Sequence, residues 1–153
     1  IDEANTFCKK LKRYLNPGDL MLIGFDLKKH PRVILSAYND KDGYTREFNL
    51  NLLRRINREL GGDFNLEQFE HFPSYDPATG SCRSYLISLV DQKVRIADRE
   101  ITFKENEYID MEVSQKYSVA ETEKMAEQSG FLPIKHFFDQ KGWFLDTVWQ
   151  VKS

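Results

Sequence analysis

Asn16-Pro17-Gly18-Asp19-Leu20-Met21-Leu22-Ile23-Gly24-Phe25-Asp26 is the stretch whose reading decides the fold. Its first half is turn chemistry: Pro presets φ, Gly takes conformations closed to other residues, and Asn and Asp bond back to the main chain. The apolar run Leu20 to Phe25 is too short for a helix. Its continuity predicts a strand buried on both faces within a parallel sheet. Asp26 then stands at the carboxyl end of that strand, where open α/β sheets gather functional groups.

Working outward, Phe7, Leu11, Tyr14 and Leu15 recur at helical spacing after Asp2, which predicts a helix stopped by the Asn16–Asp19 turn. Beyond Asp26, Pro31 suits the first turn of a short helix carrying Val33, Ile34, Ala37 and Tyr38, and the loop Asp40-Lys41-Asp42-Gly43 follows. A longer helix then places Phe48, Leu52, Leu53, Ile56 and Leu60 on one face and ends at Gly61-Gly62. Asn65 and Gln68 read as a capping box for a short helix over Leu66 and Phe69. The texture then turns to β: Phe72 to Tyr75, Cys82 to Val90, Val94 to Ile96, Ile101 to Phe103 and Tyr108 to Val113 predict an antiparallel sheet of its own. Ser118 with Glu121 is a capping box for a helix carrying Val119, Met125 and Ala126, closed by Ser129-Gly130. Phe131 to Phe138 and Trp143 to Val151 complete a hairpin. The ends of the chain read as one α/β layer and the middle as an α+β insertion after a sheet strand.

A chain of 153 residues with 41% hydrophobic content and a formal net charge of -2 can bury one core, or a core and a satellite. Charges of both signs are dispersed and no apolar run reaches membrane-spanning length, so neither nucleic acid nor a membrane is the expected partner. Cys8 and Cys82 lack metal or redox spacing, which predicts free thiols and a cytoplasmic setting. His30, His71 and His136 have no metal-ligand spacing and read as surface or satisfied structural histidines; no metal site is expected. No glycine cluster joins a strand to a helix, so no cofactor-binding residue is assigned. The start at Ile1, almost directly in a helical pattern, is expected of part of a longer protein.

One run carries candidate chemistry. In Tyr108-Ile109-Asp110-Met111-Glu112-Val113-Ser114-Gln115, alternation along a strand points Glu112 and Ser114 the same way. A carboxylate that accepts from one ring N–H, beside a hydroxyl for the other nitrogen, suits a planar two-nitrogen ligand such as imidazole. The same spacing also occurs on the wet face of ordinary strands. Tyr38-Asn39-Asp40, polar and aromatic at a helix end, reads from the residues alone as a half-buried anchor.

Asn16 to Leu27, Ala37 to Asp40, Phe48 to Leu60, Phe69-Glu70-His71 and Glu112 to Tyr117 together resemble the histidine-specific, S-adenosylmethionine-dependent Nα-methyltransferases of ergothioneine biosynthesis. The likeness runs in order along nearly the whole chain and matches the carboxyl-terminal half of that family. It implies the end of a Rossmann-like methyltransferase sheet: a partial core over residues 1–28, a substrate-binding insertion over 29–114, and the last helix and hairpin over 115–153. The S-adenosylmethionine site would lie upstream of Ile1, and these residues alone would be inactive. The resemblance further implies L-histidine as substrate, with Tyr38 near its amino group as both catalytic orienter and binding residue, and Glu112 and Ser114 at the imidazole. Ser84, beside Tyr85, stands where relatives carry a methionine against the ring. A related methyltransferase for another amine-bearing molecule, or a non-catalytic ligand-binding module, is the alternative reading. An exposed sheet edge would permit self-association.

Overall fold

The structure, a computed structural model, describes residues 2–153. The chain divides into two compact units, Ile1–Lys29 with Gln115–Ser153, and His30–Ser114.

The first unit holds α1 (Asp2–Lys12), β1 (Leu20–Asp26), α4 (Val119–Gln128), β7 (Phe131–Phe138) and β8 (Phe144–Val151). Its sheet has the order β1-β8-β7, and both neighbours run antiparallel to β8, with Leu20 opposite Gln150 and Phe131 opposite Val151. The expectation for Leu20–Phe25 is therefore corrected: β1 pairs with an antiparallel strand, and Leu20 and Leu22 are exposed while Phe25 is buried. An apolar run cannot report which faces are covered, because coverage depends on what packs there. Cys8, Phe25, Met125, Ala126, Phe131, Leu145, Trp149 and Val151 form the core, with Trp149 between the rings of Phe25 and Phe131 at 5.7 and 5.8 Å. Pro133 is accommodated because β7 lies at a sheet edge, with a register shift just beyond it.

Two terminal features of this unit differ in how well the residues announce them. The expected α4 box is present: Glu121 N–H donates to Ser118 Oγ at 3.3 Å and Ser118 N–H to Glu121 Oε2 at 2.7 Å. The expected face of α1 is displaced. Arg13 and Tyr14 donate to carbonyls three residues back, tightening the exit turn, so Tyr14 and Leu15 lie past the helix; Phe7 is exposed and Cys8 points to the core.

The second unit holds α2 (Pro31–Tyr38), α3 (Tyr44–Leu60), a 3₁₀ turn (Leu66–Gln68), and the strands β2 (Phe69–Asp76), β3 (Ser81–Ser88), β4 (Gln92–Ile96) and β5 (Arg99–Phe103); β6 (Tyr108–Gln115) ends at its boundary. The strands form two sheets, β2-β3-β6 and β4-β5, in place of the single sheet expected. Leu50, Leu53, Phe64, Phe69, Leu86, Val94 and Phe103 make the core, with Phe69 edge-on to Phe103 at 5.4 Å.

The buried face of α3 is only partly the expected one: Leu53 is buried and Ile56 packs against the core. Phe48, Leu52 and Leu60 are exposed, while Asn49, Leu50 and Leu53 are buried. Polar residues can take buried positions here because their bonds are made. Asn49 Nδ2 donates to Thr45 O, and Asn57 both accepts from Phe64 N and donates to Phe64 O at 2.8 Å. Asn65 caps its turn by accepting from Glu67 N–H, but that turn is one 3₁₀ winding and Phe69 already begins β2. Cys8 and Cys82 are buried thiols not joined in a disulfide. Among the described residues no helix is long and apolar enough to cross a membrane.

Candidate functional site

Tyr38, His71, Ser84, Glu112 and Ser114 all belong to the second unit. Tyr38 is the last residue of α2 and is half-buried. The corner after it is fixed by Asp40, whose carboxylate accepts from the N–H groups of Tyr44 at 2.7 Å and Thr45 at 2.9 Å, at the open end of α3. Those bonds, the Thr45 one foremost, hold the Asp40 carboxyl down at about 2. Asp40 thus does for α3 what Gly43, the residue before the helix, cannot do with a side chain.

Glu112 and Ser114 lie near the end of β6. Upstream, β6 is tied to β3 by an Arg83–Asp110 ion pair at 2.7 Å and by the edge-on rings of Tyr85 and Tyr108, 5.0 Å apart. Burial alternates from Tyr108 to Glu112 and then slips: Glu112 and Val113 are both exposed, and Ser114 is half-buried. The Glu112 side chain is exposed on β6, where its carboxylate is open to a ligand.

His71 is the residue that sequence reasoning passes over. Read from the sequence as a satisfied or surface histidine, it is 7% exposed, and its Nε2 has no hydrogen-bond partner. Burial holds its ring on the neutral side of the ordinary histidine range; Glu112 and then Asp40 pull the other way, and Arg46 adds to the depression. Of the sequence-derived positions, Glu112 is the one whose charge acts on this ring. The available signal was the alternation Phe69-x-His71, which puts the imidazole on the core face with Phe69. A cleft of about 590 Å³ between α2 and β2, bordered by Ser36, Asn39 and Pro73, reaches His71. The other two histidines have partners: His30 accepts from Arg32 N–H at the start of α2, and His136 meets Thr147 and Glu123. Among the described residues no group of His, Cys, Asp and Glu is arranged to hold a metal ion.

The comparisons with known proteins bear on this arrangement. The family model described as "Histidine-specific methyltransferase, SAM-dependent" matches residues 1–151. The histidine N-alpha-methyltransferase of Mycolicibacterium smegmatis is 38% identical over 113 residues, 72% of this chain and 35% of that protein. Its namesake from Mycobacterium tuberculosis is 32% identical over 140 residues, 90% of this chain and 44% of that protein. The ergothioneine biosynthesis protein 1 of Neurospora crassa is 34% identical over 149 residues, covering 88% of this chain and 15% of its own. The chain thus spans less than half the length of each of these relatives. With nearly every residue matched by the family model, the chain belongs to the histidine-specific, SAM-dependent methyltransferase family.

Proposed function

We propose that this chain is the histidine-binding part of an enzyme that transfers a methyl group from S-adenosylmethionine to the α-amino group of L-histidine. The observation that carries the reading is the match of the histidine-specific, SAM-dependent methyltransferase family model to residues 1–151. In this reading residues 29–114 are the substrate-binding insertion, while residues 1–28 and 115–153 close a Rossmann-like sheet. Support comes from the strand directions. β1 and β7 each run antiparallel to β8 and so parallel to one another, as at the edge of a mostly parallel sheet that carries one reversed strand.

In this reading these residues are not the cradle of the methyl donor. The space above Gly24 in β1 is filled by the Phe144 ring, which lies 2.7 Å from where a Cβ would stand, and Asp26 is engaged by Lys116 and Lys29. The donor site then belongs to the remainder of the enzyme, and the outer edge of β1 is where its sheet would continue. The same edge would otherwise let two copies associate.

The task left to this chain is to select and orient. The Glu112 carboxylate accepts from a ring N–H of histidine, a charge-assisted bond, and the Ser114 hydroxyl serves the other ring nitrogen. An apolar side chain in that place would make no such bond, and a hydrogen bond to a charged group is worth about 1.5–3 kcal/mol. Tyr38, on a helix end braced through Asp40, orients the amine so that its lone pair is presented in line with the donor. In the full-length enzyme Glu112→Ala should raise the histidine KM at least tenfold and leave the S-adenosylmethionine KM within about twofold. Steady-state kinetics check it; an unchanged histidine KM removes Glu112 from the site.

A further inference from the structure

β2 is an outer strand of its sheet, whose order is β2-β3-β6. The bonds around it fix which of its main-chain groups turn outward. Ser88 donates its N–H to Glu107 O and accepts from Asn106 N–H, both at 2.8 Å, so neither group is turned toward Phe69, its partner across the ladder. Gln68 O, one residue before Phe69, accepts from Leu89 N–H at 2.9 Å. Antiparallel ladders alternate, so Glu70, Phe72 and Ser74 bond to β3 while His71 and Pro73 turn their main-chain groups away from it. Proline, with no N–H to give, suits such an outward position. The cleft of about 590 Å³ lies on this side. Four consecutive residues, Glu70 to Pro73, border it, and their side chains alternate between the two faces of the sheet, so the opening is at the strand's edge and not over one face. Its other wall is the side of α2 that carries Arg32, Leu35 and Asn39. Among the described residues neither the N–H nor the C=O of His71 meets a partner beyond the ladder, and its ring Nε2 is unbonded as well. An outward donor and acceptor beside an open groove are a template for one more strand.

We propose that in the full-length enzyme this groove is filled by an extended segment from outside residues 1–153, which adds to β2 as a fourth strand of the sheet. The proposal rests on the reading that these residues are part of a longer methyltransferase, and the choice of occupant follows from it. The chain spans 35% and 44% of the two histidine N-alpha-methyltransferases it matches, so more than half of such an enzyme lies outside it. In that reading the remainder carries the methyl donor and must come up to the substrate amine, which Tyr38 orients from the last position of α2. A segment opposite His71 makes two main-chain bonds to it, and Leu35 on the facing wall receives an apolar side chain from the segment. Pro73 offers a carbonyl and no N–H, which keeps the added strand short and centred on His71. Held between α2 and β2, the segment fixes the helix whose end presents Tyr38. It positions the substrate site and takes no part in moving the methyl group.

Hydrogen exchange on the unmodified full-length enzyme tests this at one amide. The N–H groups of Glu70 and Phe72 are protected by β3 whether or not the groove is filled, whereas that of His71 is left for an added strand to protect. Electron-transfer fragmentation of a peptide covering residues 69–74 should show the His71 amide exchanging at least about a hundredfold more slowly than an unstructured amide. The occupant is identified by p-benzoyl-L-phenylalanine in place of Ser36, an exposed residue on the α2 wall. Irradiation should join it to a peptide from outside residues 1–153 of the same chain. Fast exchange at His71 would overturn the proposal. So would a crosslink to a second copy, to another protein or to a site within residues 1–153, or the lack of any crosslink. Failure of the histidine-binding reading is recognised separately, by an unchanged histidine KM in Glu112→Ala, a result that leaves His71 exchange untouched.

Discussion

Asp26→Asn and Lys116→Met remove the two halves of one ion pair and should have very different consequences. Lys116 Nζ lies 2.6 Å from Asp26 Oδ2; the lysine side chain is 2% exposed and the aspartate 36%. Around this contact the main chain is also tied, with Tyr117 N–H donating to Asp26 O and Lys28 N–H to Tyr117 O. A fully buried pair broken at one end costs about 3–5 kcal/mol, most of it the penalty of the ion left behind. Asp26 is partly solvated and Asn can still accept a hydrogen bond, so the loss in Asp26→Asn reduces to about 2 kcal/mol. In a domain of this size that corresponds to a Tm fall of about 4–8 °C. Lys116→Met instead removes the buried ion, fills similar space, and leaves Asp26 with Lys29. Exchange of a buried charge for an apolar side chain is often near neutral, so its Tm should stay within about 3 °C.

The pH dependence follows from the same contact. Burial alone would raise the Asp26 carboxyl, but the bonds from Lys116 and Lys29 outweigh it and bring it below the ordinary carboxylate range. A depressed native pKa stabilises the fold above the unfolded value and loses that contribution as pH falls through the native one. The deficit of Asp26→Asn should therefore be full at neutral pH and shrink as the pH falls below about 4 toward the depressed native value, where the wild-type carboxylate itself takes up a proton. Urea unfolding followed by circular dichroism between pH 3 and pH 7 would measure both effects. Equal losses in the two variants, or a deficit that does not depend on pH, would refute the charge-based account.

Ser118→Ala breaks the α4 capping box from one side and should cost about 1 kcal/mol in the same unfolding assay. Glu121 retains its 2.7 Å contact with Lys28. Asp40→Ala should lower the Tm and fray the start of α3, visible as lost helical ellipticity. Since the Asp40 carboxyl is held at about 2, its support of the helix is complete above about pH 4 and disappears only as the pH approaches 2.

Local chemistry announced much of this protein. The Asn16–Asp19 turn, helix α2 opening at Pro31, the Ser118–Glu121 box and the closing hairpin all depend on residues a few positions apart, and the structure contains each of them. Glu112 and Ser114 stand out as a same-face pair from strand alternation, but only the likeness to a family favours a ligand site over a wet strand face, and it alone singles out Tyr38. What needed the tertiary structure is whatever depends on partners distant in sequence. Lys116 is held in the interior by Asp26, 90 residues earlier, a pairing that no local pattern announces. β1 reads as a strand paired in parallel until β8 is found antiparallel beside it. His71 reads as a satisfied histidine until its ring is found buried beside β3 with Nε2 unbonded. The physical reason is common to all three. Turns and caps are satisfied within a few residues of chain, whereas the register of a sheet, the covering of a face and the pairing of a buried polar atom are settled only when separate segments meet.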